Sequence, residues 1–163
     1  MAIVCDASSI ILLAKASALE TFTNRNAIYI SPIVYMEVIK GKEKGRFDSL
    51  LAEKLVKNGN IKIQKLNNLV KKQIEDLFNI KKGELETISL SYKTKNTVLT
   101  DDKKCLNVAK ALDIGFITSL DVIIALMKKR AISKEKAKDC IEKLEQYGWY
   151  DKDLIKTYME EIK

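Results

Sequence analysis

The sequence predicts a three-layer α/β/α sandwich with a short, mostly parallel five-stranded sheet and a helical C-terminal extension. Short apolar runs alternate with stretches of helical periodicity through the first two-thirds of the 163 residues, which is typical of parallel strands joined by right-handed crossovers. After Ser119 only helical spacing continues. We therefore expect residues 1–130 to form the α/β domain and residues 131–163 to pack on that same domain as helices.

The individual elements follow from apolar spacing and from residues that begin helices. The five predicted strands are Ala2–Cys5, Ala27–Ile30, Ile61–Gln64, Thr97–Thr100 and Phe116–Ile117. A first helical apolar face is formed by residues 10–13 together with Leu19. Further helical spacing is found in residues 32–40, 47–57, 67–78, 84–95, 103–112, 121–129, 134–147 and 151–162. Ser31 before Pro32 is an N-cap followed by a proline in the first helical turn, and Ser133 and Asp151 are further N-cap candidates.

The composition excludes several chemistries because the chain contains no histidine. Ser-His-Asp and Cys-His hydrolysis, HExxH zinc sites and histidine acid–base nuclease mechanisms are all ruled out. The 29 basic residues exceed the 22 acidic residues and give a net charge of +7. An excess of this size favours either a polyanionic partner or simply solubility.

The cysteines and the hydropathy pattern indicate a cytoplasmic protein. Cys5, Cys105 and Cys140 are far apart and form no CxxC pair, so we expect reduced core residues. No apolar run approaches the roughly 18 residues of a membrane span, and the first residues lack the basic region of a signal peptide. No membrane partner is expected.

Acidic and hydroxyl residues stand where two of the predicted strands end. Asp6 ends the first strand and Ser8 follows it, while Asp101 and Asp102 follow the fourth strand, which has Thr100 at its tip. In an open parallel sheet, ligands collect outside the carboxyl ends of the strands at the topological switch point. We expect the first and fourth strands to be neighbours whose ends face one cleft.

Three glutamates can reach the same cleft. Glu37 lies in an otherwise apolar helical segment, and Glu84 and Glu86 follow Gly83 in the first turn of the helix before the fourth strand. Each acid also has a purely structural interpretation. The aspartates suit helix caps, the pair after Gly83 suits the positive end of a helix dipole, and Glu37 faces solvent if its helix is rotated.

The positions considered together favour a metal site. Four carboxylates at one end of one sheet repel each other unless a cation is bound among them. Neither histidine nor a cysteine pair competes for the role. Because oxygen ligands select hard ions, the expected cofactor is Mg²⁺ or Mn²⁺.

The order and spacing of these motifs resemble those of PIN domains, the fold of VapC-like toxin ribonucleases. The opening segment 3–9 resembles the family's apolar strand ending in Asp-x-Ser, and Glu37 matches the glutamate after the second strand. Glu84 precedes Asp102 by 18 positions, the family interval between a third acid and Thr-x-Asp, here Thr100-Asp101-Asp102. Residues 83–88 resemble the Gly-Glu-x-Glu-Ala-Ile pattern of a less-studied subgroup.

The resemblance runs from Ile3 to about Leu126 and stops before the tail that begins near Ser133. The chain departs from the family pattern at a few positions, where serine, threonine or aspartate replaces alanine or glycine: Thr87, Ser89, Ser91, Ser119 and Asp121.

The resemblance implies metal-dependent cleavage of RNA phosphodiester bonds. The residues implied as catalytic and metal-binding are Asp6, Glu37, Glu84 and Asp102, with Asp101 as a further metal residue. Those implied to orient the ligands are Ser8, Thr100, Glu86 and Asp121, although a helix-capping role is favoured for Asp121. Flanking phosphates of the RNA substrate would meet nearby lysines, namely Lys81, Lys82, Lys103 and Lys104.

Partners and rival functions stay open at this point. Many PIN toxins are dimers inhibited by a small antitoxin protein, so a homodimer and an antitoxin partner are both considered. The net charge also fits a non-catalytic PIN-fold module that binds RNA or protein. A phosphoacceptor receiver domain is disfavoured because Thr118-Ser119, and no lysine, follows the fifth strand. We expect the apolar helices of the tail, with Trp149 and Tyr150, to cover the core, with a dimer face or a partner surface as alternatives.

Overall fold

The fold is a five-stranded, all-parallel sheet with helices on both faces. The structure is a computed structural model that describes residues 1–163. Its strands are β1 Ala2–Cys5, β2 Ala27–Ile30, β3 Ile61–Ile63, β4 Thr97–Leu99 and β5 Phe116–Ile117. The predicted fold class is confirmed.

Ten α-helices and a short 3-10 helix at Lys42–Lys44 surround the sheet. They are α1 Ala7–Lys15, α2 Leu19–Thr23, α3 Pro32–Ile39, α4 Phe47–Lys57, α5 Asn68–Leu77, α6 Lys82–Thr94, α7 Lys103–Ala111, α8 Ser119–Lys128, α9 Lys134–Tyr147 and α10 Lys152–Glu161. The first helical stretch is divided into α1 and α2. Ser17, with φ of 59°, has a left-handed backbone that cannot continue a helix, and this separates the two.

The strand order β3-β2-β1-β4-β5 places the topological switch at β1. From β1 the chain builds outward through β2 and β3, then returns to add β4 and β5 on the other side. Val4 is in register with Tyr29 of β2 and with Val98 of β4. The carboxyl ends of β1 and β4 therefore lie side by side, which confirms the expected neighbours.

The main hydrophobic core lies between the sheet, α1 and the C-terminal helices. Ile10 and Leu13 of α1 share one buried cluster with Ile141 and Leu144 of α9 and with Ile155 of α10. A smaller cluster lies between α6, α7 and β4 on the other face of the sheet. The tail thus packs on α1, the helix that begins at the end of β1.

Two sequence expectations about cysteines and hydropathy can be compared directly with the structure. All three cysteines are buried and unpaired, as predicted. No helix in the structure is long and apolar enough to cross a bilayer.

Candidate functional site

Four carboxylates line one cleft at the carboxyl ends of β1 and β4. The cleft has a volume of about 310 Å³. Its lining consists of the four acids expected from the sequence and five neighbours: Asp6, Glu37, Glu84 and Asp102, with Ala7, Ser8, Lys81, Lys82 and Gly83. Residues from four separate chain segments therefore meet at the switch point, and we call this space the acid cleft.

Asp6 is held in place on both carboxylate oxygens. It ends β1 and caps α1, where the Ser9 N–H donates to its Oδ1 at 2.8 Å. The Thr100 hydroxyl donates to its Oδ2 at 2.5 Å and accepts the N–H of Asp102 at 3.2 Å. Thr100 is fully buried, so it couples the ends of β1 and β4 and orients Asp6. The sequence had placed Thr100 in this orienting role.

Asp102 and Glu84 of the acid cleft lie close to the buried thiol of Cys105. Asp102 caps α7, accepting the Cys105 N–H at 2.8 Å. Ligand atoms of Glu84, Asp102 and Cys105 all lie within 4.8 Å of one another. The sequence analysis missed Cys105, although its place three residues after Asp102 in the first turn of α7 indicates the proximity. Burial, then the Glu84 and Asp102 carboxylates, raise the pKa of the Cys105 thiol, which therefore stays protonated.

Glu37 reaches the acid cleft across a glycine. A Cβ built on Gly83 would lie 2.6 Å from Glu37 Oε2 and 3.2 Å from Oε1. Glu37 comes from α3 and Gly83 from the first turn of α6, so the missing side chain is what lets the carboxylate lie against this helix. Gly83 thus admits Glu37 to the acid cleft.

We predict that Gly83→Ala weakens metal binding without lowering the stability of the fold. The added methyl group displaces the Glu37 carboxylate, which is a mobile side-chain end, while alanine is the better helix former by about 1 kcal/mol. The free energy of unfolding should stay unchanged or rise slightly, whereas affinity for Mn²⁺ should fall by about tenfold. Urea denaturation and calorimetric Mn²⁺ titration measure the two effects.

Gly115→Ala is the matched control for this substitution. A Cβ at Gly115 meets only Thr97 Oγ1 at 3.4 Å, an ordinary contact far from Glu37. Metal affinity should be unchanged in this variant. Equal affinities for Gly83→Ala and the wild type would contradict the role of Gly83.

Burial and like charge make two carboxylates of the acid cleft, Asp6 and Glu84, costly to ionise. Burial raises the pKa of Asp6 to about 6, with a smaller contribution from Asp101, against the lowering effect of hydrogen bonds from Thr100 and Ser9. The pKa of Glu84 is also raised, mainly by burial and to a smaller extent by the negative charges of Asp102 and Glu37. A bound cation would relieve this repulsion.

The raised pKa of Asp6 predicts an unusual pH dependence of stability in the metal-free protein. Between its ordinary value of 3.8 and the folded value of about 6, the folded state holds a proton that the unfolded state releases. Stability from this group is therefore present at low pH and is lost as pH rises through about 6, by roughly 3 kcal/mol in total.

The Asp6→Asn variant tests this dependence because asparagine can still cap α1. In chelator, urea denaturation should show the variant to be more stable than the wild type by roughly 1–3 kcal/mol near neutral pH, and equally stable at about pH 4. A difference that stays constant over this range would contradict the assignment.

Asp101 lies beside the acid cleft and outside its lining, although the sequence placed it among the metal residues. Its Oδ1 accepts from the Ser119 N–H and from the Tyr150 hydroxyl, each at 2.9 Å. Its Oδ2 accepts from the hydroxyls of Ser9 at 3.2 Å and Ser119 at 2.5 Å. All four bonds join Asp101 to other elements, so it ties β4 to α1, α8 and the tail. Nothing in the sequence indicates these partners.

The remaining predicted site residues fall in three different places. Ser8 is exposed and lines the acid cleft, while its buried neighbour Ser9 makes the hydrogen bonds. Glu86 is buried away from the cleft, where Lys71 Nζ contacts it at 3.0 Å. Asp121 forms a capping box with Thr118 at the start of α8 and accepts a hydrogen bond from Tyr158. Neither Glu86 nor Asp121 lines the acid cleft.

The expected lysines surround the acids on two sides. Lys81 and Lys82 line the acid cleft itself, and Lys82 has a left-handed backbone with φ of 51°. Lys104 is close enough to Glu84 to oppose the rise in its pKa. Lys103 lines an adjoining pocket. The cleft is thus acidic at its centre and basic at its rim.

Comparison with known families agrees with this arrangement. The family model DUF3368, described as a PIN domain, matches residues 2–163. No curated protein matches the chain. The family match includes the tail, so the expectation that the resemblance stops near Leu126 is wrong. PIN domains are commonly nucleases that use divalent metals. With a matching family model over nearly its whole length, the chain belongs to the DUF3368 family of PIN domains.

Proposed function

We propose that the protein is a metal-dependent endoribonuclease that cleaves RNA phosphodiester bonds, with Mg²⁺ or Mn²⁺ as cofactor. The observation that carries the proposal is the meeting of four carboxylates from separate chain segments in one cleft at the switch point. Such a position is where open parallel sheets place their ligands.

The residues of the acid cleft fit a hard divalent ion. All four acids offer oxygen atoms, the donors that Mg²⁺ and Mn²⁺ prefer. Burial and neighbouring carboxylates raise the pKa values of Asp6 and Glu84, and a bound cation would favour the ionised form of both. The neutral Cys105 thiol is a poor ligand for such ions, which leaves the carboxylates as the donor set.

Each acid would be held for this role by a defined neighbour. Thr100 orients Asp6, the start of α7 positions Asp102, and Gly83 leaves room for Glu37. Asp101 acts through its four hydrogen bonds and positions the surrounding elements. When bound, the divalent ion supplies activation of a water molecule and charge neutralisation at the scissile phosphate.

The lysines at the rim would bind the RNA backbone. Lys81 and Lys82 border the acids, so a phosphate that approaches the acid cleft meets positive charge first. The net charge of +7 supports a polyanionic substrate. The choice of RNA rests on the resemblance to VapC-like ribonucleases.

The same resemblance extends the proposal to the toxin of a toxin–antitoxin pair. Induced expression of the wild type should then arrest growth of a bacterial host, and Asp6→Asn should remove the arrest. Co-expression of a small reading frame adjacent to the gene should restore growth. Normal growth under wild-type expression would count against the toxin role.

The nuclease activity is tested by incubating purified protein with single-stranded and structured RNAs. Cleavage should require Mg²⁺ or Mn²⁺ and stop on chelation. Calorimetry should show binding of the same ions to the protein alone. Tight RNA binding without metal binding or cleavage would overturn the proposal in favour of the alternative, a non-catalytic module that binds RNA.

A further inference from the structure

A second pocket adjoins the acid cleft. It has a volume of about 460 Å³ and lies between α1, the start of α7 and the turn between α9 and α10. Ser8 and Asp102 line both spaces, so the two lie side by side. We call the second space the side pocket.

The side pocket carries an exposed aromatic surface. Tyr147, the last residue of α9, is about half exposed, and Trp149 in the turn that follows is completely exposed. The helices of the tail cover the core as expected, and Tyr150 packs against it, but Trp149 does not. A fully exposed tryptophan leaves both ring faces free for a planar partner.

This turn is anchored at Tyr150 despite the exposure of Trp149. The Tyr150 hydroxyl donates to Asp101 Oδ1 at 2.9 Å, next to the end of β4. A Cβ on Gly148 would overlap the Tyr150 ring and lie 2.9 Å from the carbonyl oxygen of Leu144. Gly148 therefore lets Tyr150 pack against the chain, and the anchored Tyr150 fixes Trp149 at the mouth of the side pocket.

The charge distribution of the side pocket suits a nucleic-acid strand. Lys15 Nζ lies 5.0 Å from the centre of the Tyr147 ring, and Lys103 lines the pocket beside Asp102. The carboxylate of Asp101 also lines the pocket, but both of its oxygens accept hydrogen bonds from the protein. An aromatic platform next to lysines is the usual site for stacked bases of a single strand.

We propose that the side pocket binds single-stranded RNA next to the scissile phosphate, with one base stacked on Trp149 and flanking phosphates at Lys15 and Lys103. This inference rests on the proposed function for the identity of the RNA. It makes the C-terminal tail part of the substrate site, since the stacking surface comes from the turn between α9 and α10.

Trp149 is the single tryptophan of the chain, so its fluorescence reports directly on the side pocket. The probe is a single-stranded oligoribonucleotide of about ten nucleotides, within the usual range of site sizes. It is added to Asp6→Asn protein in Mg²⁺ so that it is not cleaved. We expect emission to be quenched on binding, and an abasic residue at one position to remove the quenching.

Substitutions then measure how much Trp149 contributes to RNA affinity. Trp149→Ala should weaken RNA binding by about 10- to 100-fold, and Trp149→Phe should retain most of the affinity because it can still stack. In cleavage assays the loss should fall on KM more than on kcat. Lys15→Gln should reduce the slope of log K against log salt by about 0.7, the value for one phosphate of a single strand.

Tyr92→Ala is the matched control. Tyr92 is also a partly exposed aromatic residue with a lysine over its ring, Lys95 at 4.7 Å, but it lines neither the acid cleft nor the side pocket. RNA affinity should be unchanged in this variant.

The outcomes separate this inference from the proposed function. Quenching by RNA, with no cleavage by the wild type, would support RNA binding in the side pocket and contradict the proposed nuclease activity. Metal-dependent cleavage, with equal RNA affinity for wild type and Trp149→Ala, would contradict only the RNA-binding role of the side pocket. Light scattering that shows a dimer lost in Trp149→Ala, with RNA affinity unchanged, would assign the surface to a second copy of the chain. Absence of both RNA binding and cleavage would overturn both.

Discussion

Replacing Asp6 with asparagine is expected to lower kcat/KM for RNA cleavage by more than about 100-fold. Loss of a residue that only orients a metal ligand costs up to about 100-fold, and loss of a ligand itself should cost more. Asp6 is the most buried of the four acids, and both of its oxygens are oriented by Ser9 and Thr100. Asparagine keeps the cap of α1 but removes the negative charge that would hold the cation. Initial rates over a range of RNA and Mg²⁺ concentrations measure the effect.

The same variant should not lose stability, which separates a catalytic defect from misfolding. In chelator near neutral pH, the raised pKa of Asp6 makes Asp6→Asn the more stable protein. Asp113→Asn is the matched control, because Asp113 is exposed outside the acid cleft and has a positive φ of 53° that asparagine also tolerates. Its cleavage rate should equal that of the wild type, and a wild-type rate for Asp6→Asn would overturn the metal assignment.

Truncating Ile141 in α9 is expected to lower the free energy of unfolding of the whole chain by about 2–5 kcal/mol. Ile141 is completely buried in the cluster that also contains Ile10 and Leu13 of α1. Truncation of its side chain leaves a cavity between the tail and α1, the helix that Asp6 caps. Urea denaturation followed by far-UV circular dichroism should show one transition at a lower midpoint.

Two further variants keep this prediction testable if Ile141→Ala fails to fold. Ile141→Val removes one methylene group and should cost about 0.5–1.5 kcal/mol. Glu142→Ala, on the exposed side of the same helix, should change stability by less than about 0.5 kcal/mol. Two separate unfolding transitions would show that residues 131–163 are an independent appendage and would contradict the shared core.

Local patterns in the sequence were sufficient to predict the sheet and the candidate acids. Asp6 and Asp102 each follow an apolar strand and start a helix, so their positions can be predicted from neighbours in the chain. Glu84 lies beside Gly83 in the first turn of a helix, where a local motif also places it. The absence of histidine limited the chemistry further, because only oxygen and thiol ligands remained.

Contacts between distant segments could not be predicted in the same way. Asp101 was expected to be a metal residue like Asp102, but its side chain bonds to Ser9, Ser119 and Tyr150, which lie 92, 18 and 49 positions away. Adjacent aspartates point in different directions at a strand end, and only the packing around them decides which one faces the cleft.

In the tail, the sequence predicted the helices but not where their side chains lie in the folded protein. Its helices were predicted from their periodicity, yet the exposure of Trp149 beside the acid cleft depends on how α9 packs on α1 and on the Tyr150 anchor. By itself the sequence determined the element order, the all-oxygen acid set and the basic charge, since these depend on residue type and spacing along the chain. The tertiary structure alone decided which carboxylates share one cleft and which surface adjoins it, because those contacts form only when remote segments pack together.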